Sequence, residues 1–343
     1  MSAGRGHRTA AVALSTRPVV SVVITAVEDE QPGPALSSAL AQRGVDLDVV
    51  VVTVRGAAAH IAPDDPRVRV LAVAAGTSTV AARNSGLALV RGEAVMVLPS
   101  SHVLTEGALE RAAAVLEAHP WVGAVHGGAE VSEEAGRAVP SRVDWTLWSG
   151  SDWIERTSRH GADPLVDHAA LVRRSVADEL GGYAPDLPRT ADLDYGLRLA
   201  AISGIARVNG VAQTACRPAP SGDPLTELRE RHDTIEQFFT GFGHDSSGRT
   251  AHGGDRRERA ARALAHEAMG WALLHRASAD PGERADGARF ASVAAECWPS
   301  VVDSREWRRF VRRGEREQTP SRRALELGAD RVRAALPWRR ADS

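Results

Sequence analysis

The chain has 343 residues, of which 43% are hydrophobic and 25% charged, and its 42 basic and 44 acidic side chains give a formal net charge of −2. This composition is that of a globular protein and excludes an intrinsically disordered chain. The near-neutral charge argues against nucleic acid as a partner, because such binding draws on an excess of basic charge. All 42 basic residues are arginine, a bias that fits GC-rich coding or selection for planar bidentate donors.

Cysteine usage and the chain termini indicate a cytoplasmic protein. Cys216 and Cys297 are far apart and fit neither a disulfide framework nor a zinc-binding spacing. Residues 1–17 are polar and are predicted to be a disordered leader. Their apolar stretch Ala10–Leu14 is too short for the core of a signal peptide. No apolar run approaches the roughly 18 residues of a membrane-spanning helix, so no transmembrane segment is expected.

The first elements predict a βαβ unit. Val19–Ala26 is an apolar, β-branched run of strand length, followed by a helical pattern at Ala35–Gln42 and a second strand at Val49–Thr53. The alternation then continues with a strand Val68–Val73, a helix Thr79–Val90, a strand Ala94–Leu98, a helix that Thr105 opens and His119-Pro120 closes, and a strand Val122–Val131. This order is typical of an α/β fold with a mostly parallel sheet.

The second half of the chain is less regular and then wholly helical. Val143–Ile154 has no clear period, and it precedes a strand Val166–Val172, a short helix Arg174–Leu180 and a helix Thr190–Ala201. Arg/Glu-rich helical patterns follow Asp223, interrupted by a Gly-rich loop at Gly241–Gly254. We therefore expect a leader (1–17), an α/β domain (18–222) and a helical C-terminal extension (223–343).

An ordered set of segments resembles the inverting family 2 glycosyltransferases of the GT-A fold. The segments are Val20–Ile24, Asp46–Val52, Ala81–Glu93, Val103–Glu117, Pro164–Tyr183 and Pro188–Ala200. No single segment is specific, whereas the set occurs in the family's order and spacing over most of residues 19–222. The resemblance implies an α/β GT-A domain with a mixed, mostly parallel sheet flanked by helices.

The same resemblance implies an activity and a base. Such enzymes move a sugar from a nucleotide-diphosphate donor to an acceptor, here an unknown glycan or small molecule. A divalent metal held by an Asp-x-Asp motif neutralises the departing diphosphate, and an aspartate takes the acceptor's proton. At the acceptor side the family's acidic pair aligns with Ala191-Asp192. The resemblance therefore assigns the base to Asp192.

Several metal and donor positions depart from the family pattern. Thr53 and Val54 stand where two aspartates are usual, and Leu98–His102 replaces the Asp-x-Asp motif. Serine hydroxyls bind divalent cations poorly without a carboxylate nearby, so we expect no metal cofactor. Manganese or magnesium would require His102 and other groups to replace the missing aspartates. Near the end of the domain the family's arginine is retained as Arg217, whereas the histidine expected after it is absent.

Three explanations fit a retained scaffold with a degenerate metal motif. In a metal-independent transferase, arginines near the strand ends bind the diphosphate; the candidates are Arg55, Arg83, Arg189 and Arg217. Each of them also fits a structural salt bridge. A catalytically inactive pseudo-glycosyltransferase would bind carbohydrate or stabilise a protein partner. A changed reaction on the same scaffold is the third explanation.

The candidate substrate-binding residues have structural alternatives. Asp192 and Asp194 fit a base with its helper, and they equally fit carboxylates at the positive end of a helix dipole. Trp145, Trp148 and Trp153 fit sugar stacking, core packing or a homodimer contact. Thr53, Ser101 and His102 complete the set by their place after the strands.

A basic helix is predicted near the C-terminus. Arg305, Arg308, Arg309, Arg312 and Arg313 recur at helical spacing beside Trp307 and Phe310. This pattern fits peripheral contact with the inner face of a membrane. It also fits a solvated face of a helix that packs on the rest of the protein.

Overall fold

The computed structural model describes residues 17–27, 32–54, 65–131, 144–162, 169–216, 223–241, 253–278 and 280–315. The predicted leader before Arg17 lies outside these residues, as do Arg55, Arg217 and the first half of the predicted strand Val166–Val172.

The described residues form strands and helices in an alternating order. The strands are β1 (Val19–Ala26), β2 (Asp46–Val54), β3 (Val68–Val73), β4 (Ala94–Pro99), β5 (His102–Leu104), β6 (Val122–Val131), β7 (Asp144–Trp148), β8 (Leu171–Arg173) and β9 (Gly204–Cys216). The helices are α1 (Gly33–Leu40), α2 (Thr79–Leu87), α3 (Ala108–Ala118), α4 (Gly150–His160), α5 (Arg174–Leu180), α6 (Ala191–Ile202), α7 (Pro224–Gly241), α8 (Gly253–Arg276), α9 (Pro281–Cys297) and α10 (Arg305–Glu315). A 3-10 turn, Pro299–Asp303, precedes α10.

One mixed, mostly parallel sheet organises the described part of the chain. Its order is β3-β2-β1-β4-β8-β6-β9-β5, and β7 also pairs with β9. β1 is parallel to β2 and β4, β2 is parallel to β3, and β6 is parallel to β9. β8 is antiparallel to both β4 and β6, so β4 and β6 run in the same direction. The carboxyl ends of β1, β2, β3, β4, β6 and β9 therefore lie at one edge, the carboxyl edge.

Helices cover both faces of the sheet. On one face, Ala35 and Leu36 of α1 and Leu109 of α3 share a buried core with Val22 and Ile24 of β1. On the other face, α2, α4 and α6 share a core with alternate strand residues, and this core continues into α7 to α10. Because both faces are buried, the strands are continuously apolar rather than alternating. The predicted α/β architecture, a mixed, mostly parallel sheet flanked by helices, is confirmed.

The structure differs from the predicted elements at several places: the strands β5 and β9 were not predicted, and α2 ends at Leu87 rather than Val90. The stretch 143–154, read as irregular, contains β7 and the start of α4; β7 forms by pairing with β9, a partner far along the chain. Thr105 does not cap α3. The helix begins at Ala108 after Gly107, and the Thr105 hydroxyl instead donates to the Gln213 carbonyl at 3.3 Å.

Among the described helices, none has the length and hydropathy needed to cross a lipid bilayer.

Candidate functional site

An ion pair between Arg83 and Asp192 links α2 to α6. Arg83 Nη1 donates to both carboxylate oxygens of Asp192 at 3.0 Å. The Arg83 side chain is 11% exposed and that of Asp192 is 22% exposed, so the pair is shielded from solvent but remains accessible on the Asp192 side. A neighbouring guanidinium favours the ionised form of a carboxyl group.

The chain path places this pair toward the carboxyl edge. α2 starts after β3 and runs back toward the beginning of β4, and Arg83 is its middle residue. α6 leads directly into the start of β9, so Asp192, in its first turn, lies at the end of the helix away from the start of that strand. α2 lies close to the sheet at Gly86, where a Cβ atom would lie 2.4 Å from Val23 Cγ1.

A clamp between Asn84 and Tyr183 fixes the chain that precedes α6. The Asn84 amide donates to the Tyr183 carbonyl at 2.8 Å and its oxygen accepts from the Tyr183 backbone N–H at 2.9 Å. Gly182, with φ +98°, leaves no room for a side chain, because a Cβ atom would lie 2.8 Å from Asn84 Oδ1. Asn84 and Tyr183 were not among the predicted site residues; Asn84 directly follows Arg83 in the sequence, and Tyr183 follows two glycines.

Two tyrosines form the floor beneath the ion pair. Tyr183 and Tyr195 stack with ring centroids 4.4 Å apart, and the Arg83 guanidinium lies 5.3 Å from the Tyr183 ring centre. Burial, together with the charge of Asp192, raises the pKa of Tyr183 well above its usual range. Burial raises the pKa of Tyr195 to about 12. Both phenols are therefore neutral at physiological pH, and Asp192 is the acidic group of this cluster.

A small cavity lies beside Asp192. Its volume is about 40 Å³, which is room for roughly two or three water molecules and too little for a sugar nucleotide. The lining residues are Leu87, Val95, Val97, Ala170, Val172, Tyr183, Asp192, Tyr195, Gly196 and Leu199. Apart from Asp192 and the tyrosines, the lining of this cavity is apolar.

Asp194 has a different environment from Asp192. It accepts from Arg198 at 2.6 Å on the same helix, and Arg198 also donates to the carbonyls of Leu180 and Gly182. These carbonyls belong to the end of α5 and the turn after it. Asp194 therefore holds an arginine that ties α6 to the end of α5, and its proposed role as a helper in catalysis stays a prediction.

The other predicted donor residues lie at the carboxyl edge. Thr53, at the end of β2, is 1% exposed and pairs in register with Ala26 of β1. Ser100 is buried between β4 and β5, whereas Ser101 is exposed and its hydroxyl lies 3.1 Å from Nδ1 of the half-buried His102.

Among the described residues, no group of three or more histidine, cysteine or acidic side chains is placed to hold a metal ion. The described segment between β4 and β5 offers two hydroxyls and one imidazole, a donor set that does not fit a divalent cation bound through carboxylates.

Arg189 lies just before α6 and is 48% exposed, with Nε 3.6 Å from a Glu230 oxygen on α7. It is available at the surface, whereas Arg83 is engaged with Asp192. Arg217, predicted to bind the diphosphate, and Arg55 lie outside the described residues.

The tryptophans differ in exposure. Trp153 is fully buried, Trp148 is half-buried at 5.2 Å from it, and Trp145 is 47% exposed. His126 meets the Trp153 ring edge-on at 5.4 Å, and burial lowers the pKa of His126 to about 3, with the charges of Arg207 and Arg156 adding to the effect. The imidazole is therefore neutral, and Trp153 is a core residue in this conformation. Sugar binding by Trp148 and Trp153 stays a prediction.

Comparisons with known proteins agree with this architecture. A comparison with curated protein sequences gave no significant match. Among solved structures, S. aureus TarS 1-349 in complex with UDP-GlcNAc has a TM-score of 0.58 at 14% identity, covering 93% of this chain and 89% of that chain. Against a longer S. aureus TarS chain the match covers 54% of that chain, with a TM-score of 0.57 at 14% identity.

A further similar structure is the mannosyltransferase PcManGT from Pyrobaculum calidifontis in complex with GDP-Man and Mn2+, with a TM-score of 0.52 at 16% identity, covering 96% of this chain and 89% of that chain. At these identities the likeness shows the fold. The sequence model of the family described as "Glycosyltransferase like family 2" matches residues 17–223, more than half of the chain. The chain therefore belongs to the glycosyltransferase-like family 2.

Proposed function

We propose that this protein transfers a sugar from a nucleoside-diphosphate donor to an acceptor hydroxyl without a divalent metal, with Asp192 as the general base. The observation that carries the proposal is the carboxylate of Asp192, ion-paired with Arg83 at 3.0 Å at the start of α6 in a chain of this family. Two structurally similar proteins bound to UDP-GlcNAc and to GDP-Man support the donor class.

The reaction needs one proton acceptor and one way to neutralise the leaving group. Asp192 takes the proton from the acceptor hydroxyl, whose oxygen forms a bond to the anomeric carbon. The bond from that carbon to the diphosphate breaks, and the nucleoside diphosphate departs with its electron pair. Arg83 acts as a positioning residue, because its guanidinium donates to both oxygens of Asp192.

Arginine supplies the positive charge that the leaving diphosphate requires. Among the residues that the structure describes, Arg189 is the candidate. It is partly exposed and lies two positions before Ala191, the first residue of α6. A guanidinium binds phosphate oxygens through two parallel hydrogen bonds and stays charged at any working pH. Ser101 and His102 would line the donor's path along the carboxyl edge, and the exposed Trp145 and half-buried Trp148 would line the acceptor side.

The segment after β4 supports a metal-independent site. Pro99, Ser100, Ser101 and His102 stand where the resemblance expects the Asp-x-Asp motif, and this segment contains no carboxylate. We propose that this motif is degenerate and that no step of transfer passes through a bound cation.

The same observation favours a second candidate function. A pseudo-glycosyltransferase would keep the scaffold and a donor or glycan pocket without turnover, and would act by binding carbohydrate or by stabilising a protein partner. Donor binding without release of nucleoside diphosphate distinguishes this function from the first.

A thermal-shift experiment tests the proposal. The full chain is heated with a panel of nucleoside diphosphates and their sugars, each with EDTA or with manganese. A ligand that binds only the folded state raises the melting temperature, so one nucleotide should give a shift that persists in EDTA. Release of nucleoside diphosphate is then measured with that donor.

Arginine variants supply the control. Arg189→Gln should reduce the diphosphate-induced shift, whereas Arg91→Gln, an exposed arginine just before the start of β4, should leave it unchanged. The absence of a shift with every nucleotide would rule out both transfer and donor binding. A shift seen only with manganese would contradict the metal-independent site.

A further inference from the structure

Helix α10 is anchored to the rest of the protein by one apolar face. Phe310 is 8% exposed and the Arg276 guanidinium of α8 lies 4.9 Å from its ring centre. Trp307 is half-buried with its ring 6.4 Å from that of Phe310. The helix begins at a Ser304 hydroxyl that accepts from the Trp307 backbone N–H at 3.0 Å. These contacts fix the rotation of the helix about its axis.

The opposite face of α10 is a strip of exposed arginines. Arg305, Arg308, Arg309 and Arg312 are all exposed, and their spacing of three and four residues places them on one side of the helix. Within the stretches that the structure covers, none of these four side chains has an ion-pair partner. Exposed arginines elsewhere, such as Arg159 and Arg289, pair with carboxylates of their own helices.

The C-terminal sequence that contains this strip is basic, and an aliphatic side chain lies beside the strip. From residue 301 onward the sequence contains 12 arginines and 7 acidic residues. Val311, 42% exposed, follows Arg308 by three residues and so lies beside it on the helix surface. A rigid basic strip with an exposed aliphatic side chain at its margin is suited to a flat anionic surface with an apolar interior.

We propose that α10 docks on an anionic lipid bilayer, lying parallel to the membrane with Arg305, Arg308, Arg309 and Arg312 against the headgroups. Each arginine near such a surface contributes an attraction that falls off within a Debye length. The inference rests on α10 alone and does not require the protein to transfer a sugar.

Vesicle co-sedimentation of the full chain tests the docking. The probes are vesicles of mixed phosphatidylglycerol and phosphatidylcholine and vesicles of phosphatidylcholine alone. The protein should sediment with the anionic vesicles, remain in solution with the neutral ones, and be released as the salt concentration rises. Changing all four arginines of the strip to glutamine should reduce partitioning on the order of a thousandfold.

A charge-matched control separates the strip from net charge. Four exposed arginines outside α10, namely Arg67, Arg91, Arg159 and Arg289, are changed to glutamine together. This control should sediment with anionic vesicles as the wild type does. If both variants lost the same amount of vesicle binding, the binding would depend on overall charge alone, and the proposal would be overturned.

Two further outcomes overturn the proposal without any variant. One is wild-type protein that fails to sediment with anionic vesicles at low salt. The other is wild-type protein that binds a duplex oligonucleotide but not the vesicles, since the strip would then recognise nucleic acid.

Discussion

Two aspartates on the first turn of α6 have the same chemistry and different neighbours. Asp192 meets an arginine from α2, across the cluster of Tyr183 and Tyr195, and lines the cavity there. Asp194 meets Arg198 one turn further along its own helix. Only Asp192 combines partial exposure with a partner from a different element, which is the arrangement expected of a base that must be held in place.

Replacing each aspartate by asparagine should separate catalysis from structure. Asp192→Asn removes the proton acceptor, and general-base catalysis typically contributes about 10²–10⁴-fold, so release of nucleoside diphosphate should fall by about that factor. Asp194→Asn makes the same chemical change two residues away and should leave turnover within about threefold, because Asp194 contacts an arginine of its own helix. Both are measured with the donor identified by thermal shift.

The stability of the Asp192→Asn variant serves as its internal check. Its melting temperature should remain close to that of the wild type, because asparagine still accepts from Arg83 through its carbonyl oxygen. Full activity in Asp192→Asn would remove this residue from the role of base. Equal loss of activity in both variants would mean that the α6 terminus matters only as a structural unit.

At the scale of elements, the contact of α4 with α6 depends on a glycine. Gly150 is the first residue of α4, and a Cβ atom there would lie 1.7 Å from the Ala200 carbonyl oxygen and 2.6 Å from the Ser203 carbonyl oxygen. Both neighbours are backbone atoms at the end of α6, which cannot move without shifting the helix. This close approach places Trp153 in the core beside α6.

Gly150→Ala should therefore be destabilising although alanine is the better helix former. The backbone clash must be relieved by moving α4 away from α6, at a cost of about 3 kcal/mol in the free energy of unfolding. Gly253→Ala is the matched control, because Gly253 is also the first residue of its helix and a Cβ atom there meets nothing within 4 Å. Urea unfolding of the two variants makes the comparison.

The control should be neutral or slightly stabilising, by up to about 1 kcal/mol, through the lower entropy of the unfolded chain. Equal stability of Gly150→Ala and Gly253→Ala would show that α4 and α6 are not in the contact described here.

At the scale of the whole molecule, a single hydrophobic cluster joins the α/β part to the helices after residue 222. Trp153 and Leu193 belong to the first part, Leu264 and Phe290 to the second, and all four are at most 3% exposed. The sequence pattern changes at residue 222, as predicted, but the residues on the two sides of this position share one buried core. Whether the two sides fold independently is decided by the strength of that shared core.

We predict one cooperative unfolding transition for the full chain, because neither side can retain its core once the other unfolds. Circular dichroism, which reports mainly the helices, and tryptophan fluorescence, which includes Trp153, should give coincident midpoints. Leu264→Ala should lower the free energy of unfolding by about 3 kcal/mol and so lower both midpoints together. Two separated transitions, or a shift in only one probe, would show that 18–222 and 223–343 are independent domains.

Much of the fold could be predicted from local pattern. The valine-rich run Val19–Ala26 becomes a strand with the predicted bounds, because burial on both faces requires continuous apolar character. Val68–Val73 also has the predicted bounds, as a partly buried edge strand. Helix α2 begins at Thr79 as predicted, since Ser78 caps it within the same few residues. Signals of this kind are contained in neighbouring residues, so they can be read without a structure.

Elements and contacts that depend on distant partners could not be predicted in this way. β7 forms by pairing with β9. The Thr105 hydroxyl donates to the Gln213 carbonyl and does not cap α3. Arg83 and Asp192 were each candidates from the sequence, but their bidentate contact joins positions 109 residues apart. Nothing in the local pattern of either segment specifies that pairing.

The sequence by itself determined the fold class and the family to which residues 17–223 belong. It also determined the absence of carboxylates from the segment 99–102, because these properties depend on residue identity and local period. Only the tertiary structure decided which charged groups meet. It joined Arg83 to Asp192, which are 109 residues apart, and left the arginine strip of α10 facing outward. The physical reason is that Coulomb and hydrogen-bond energies depend on distance in space, which the packing of helices on the sheet sets.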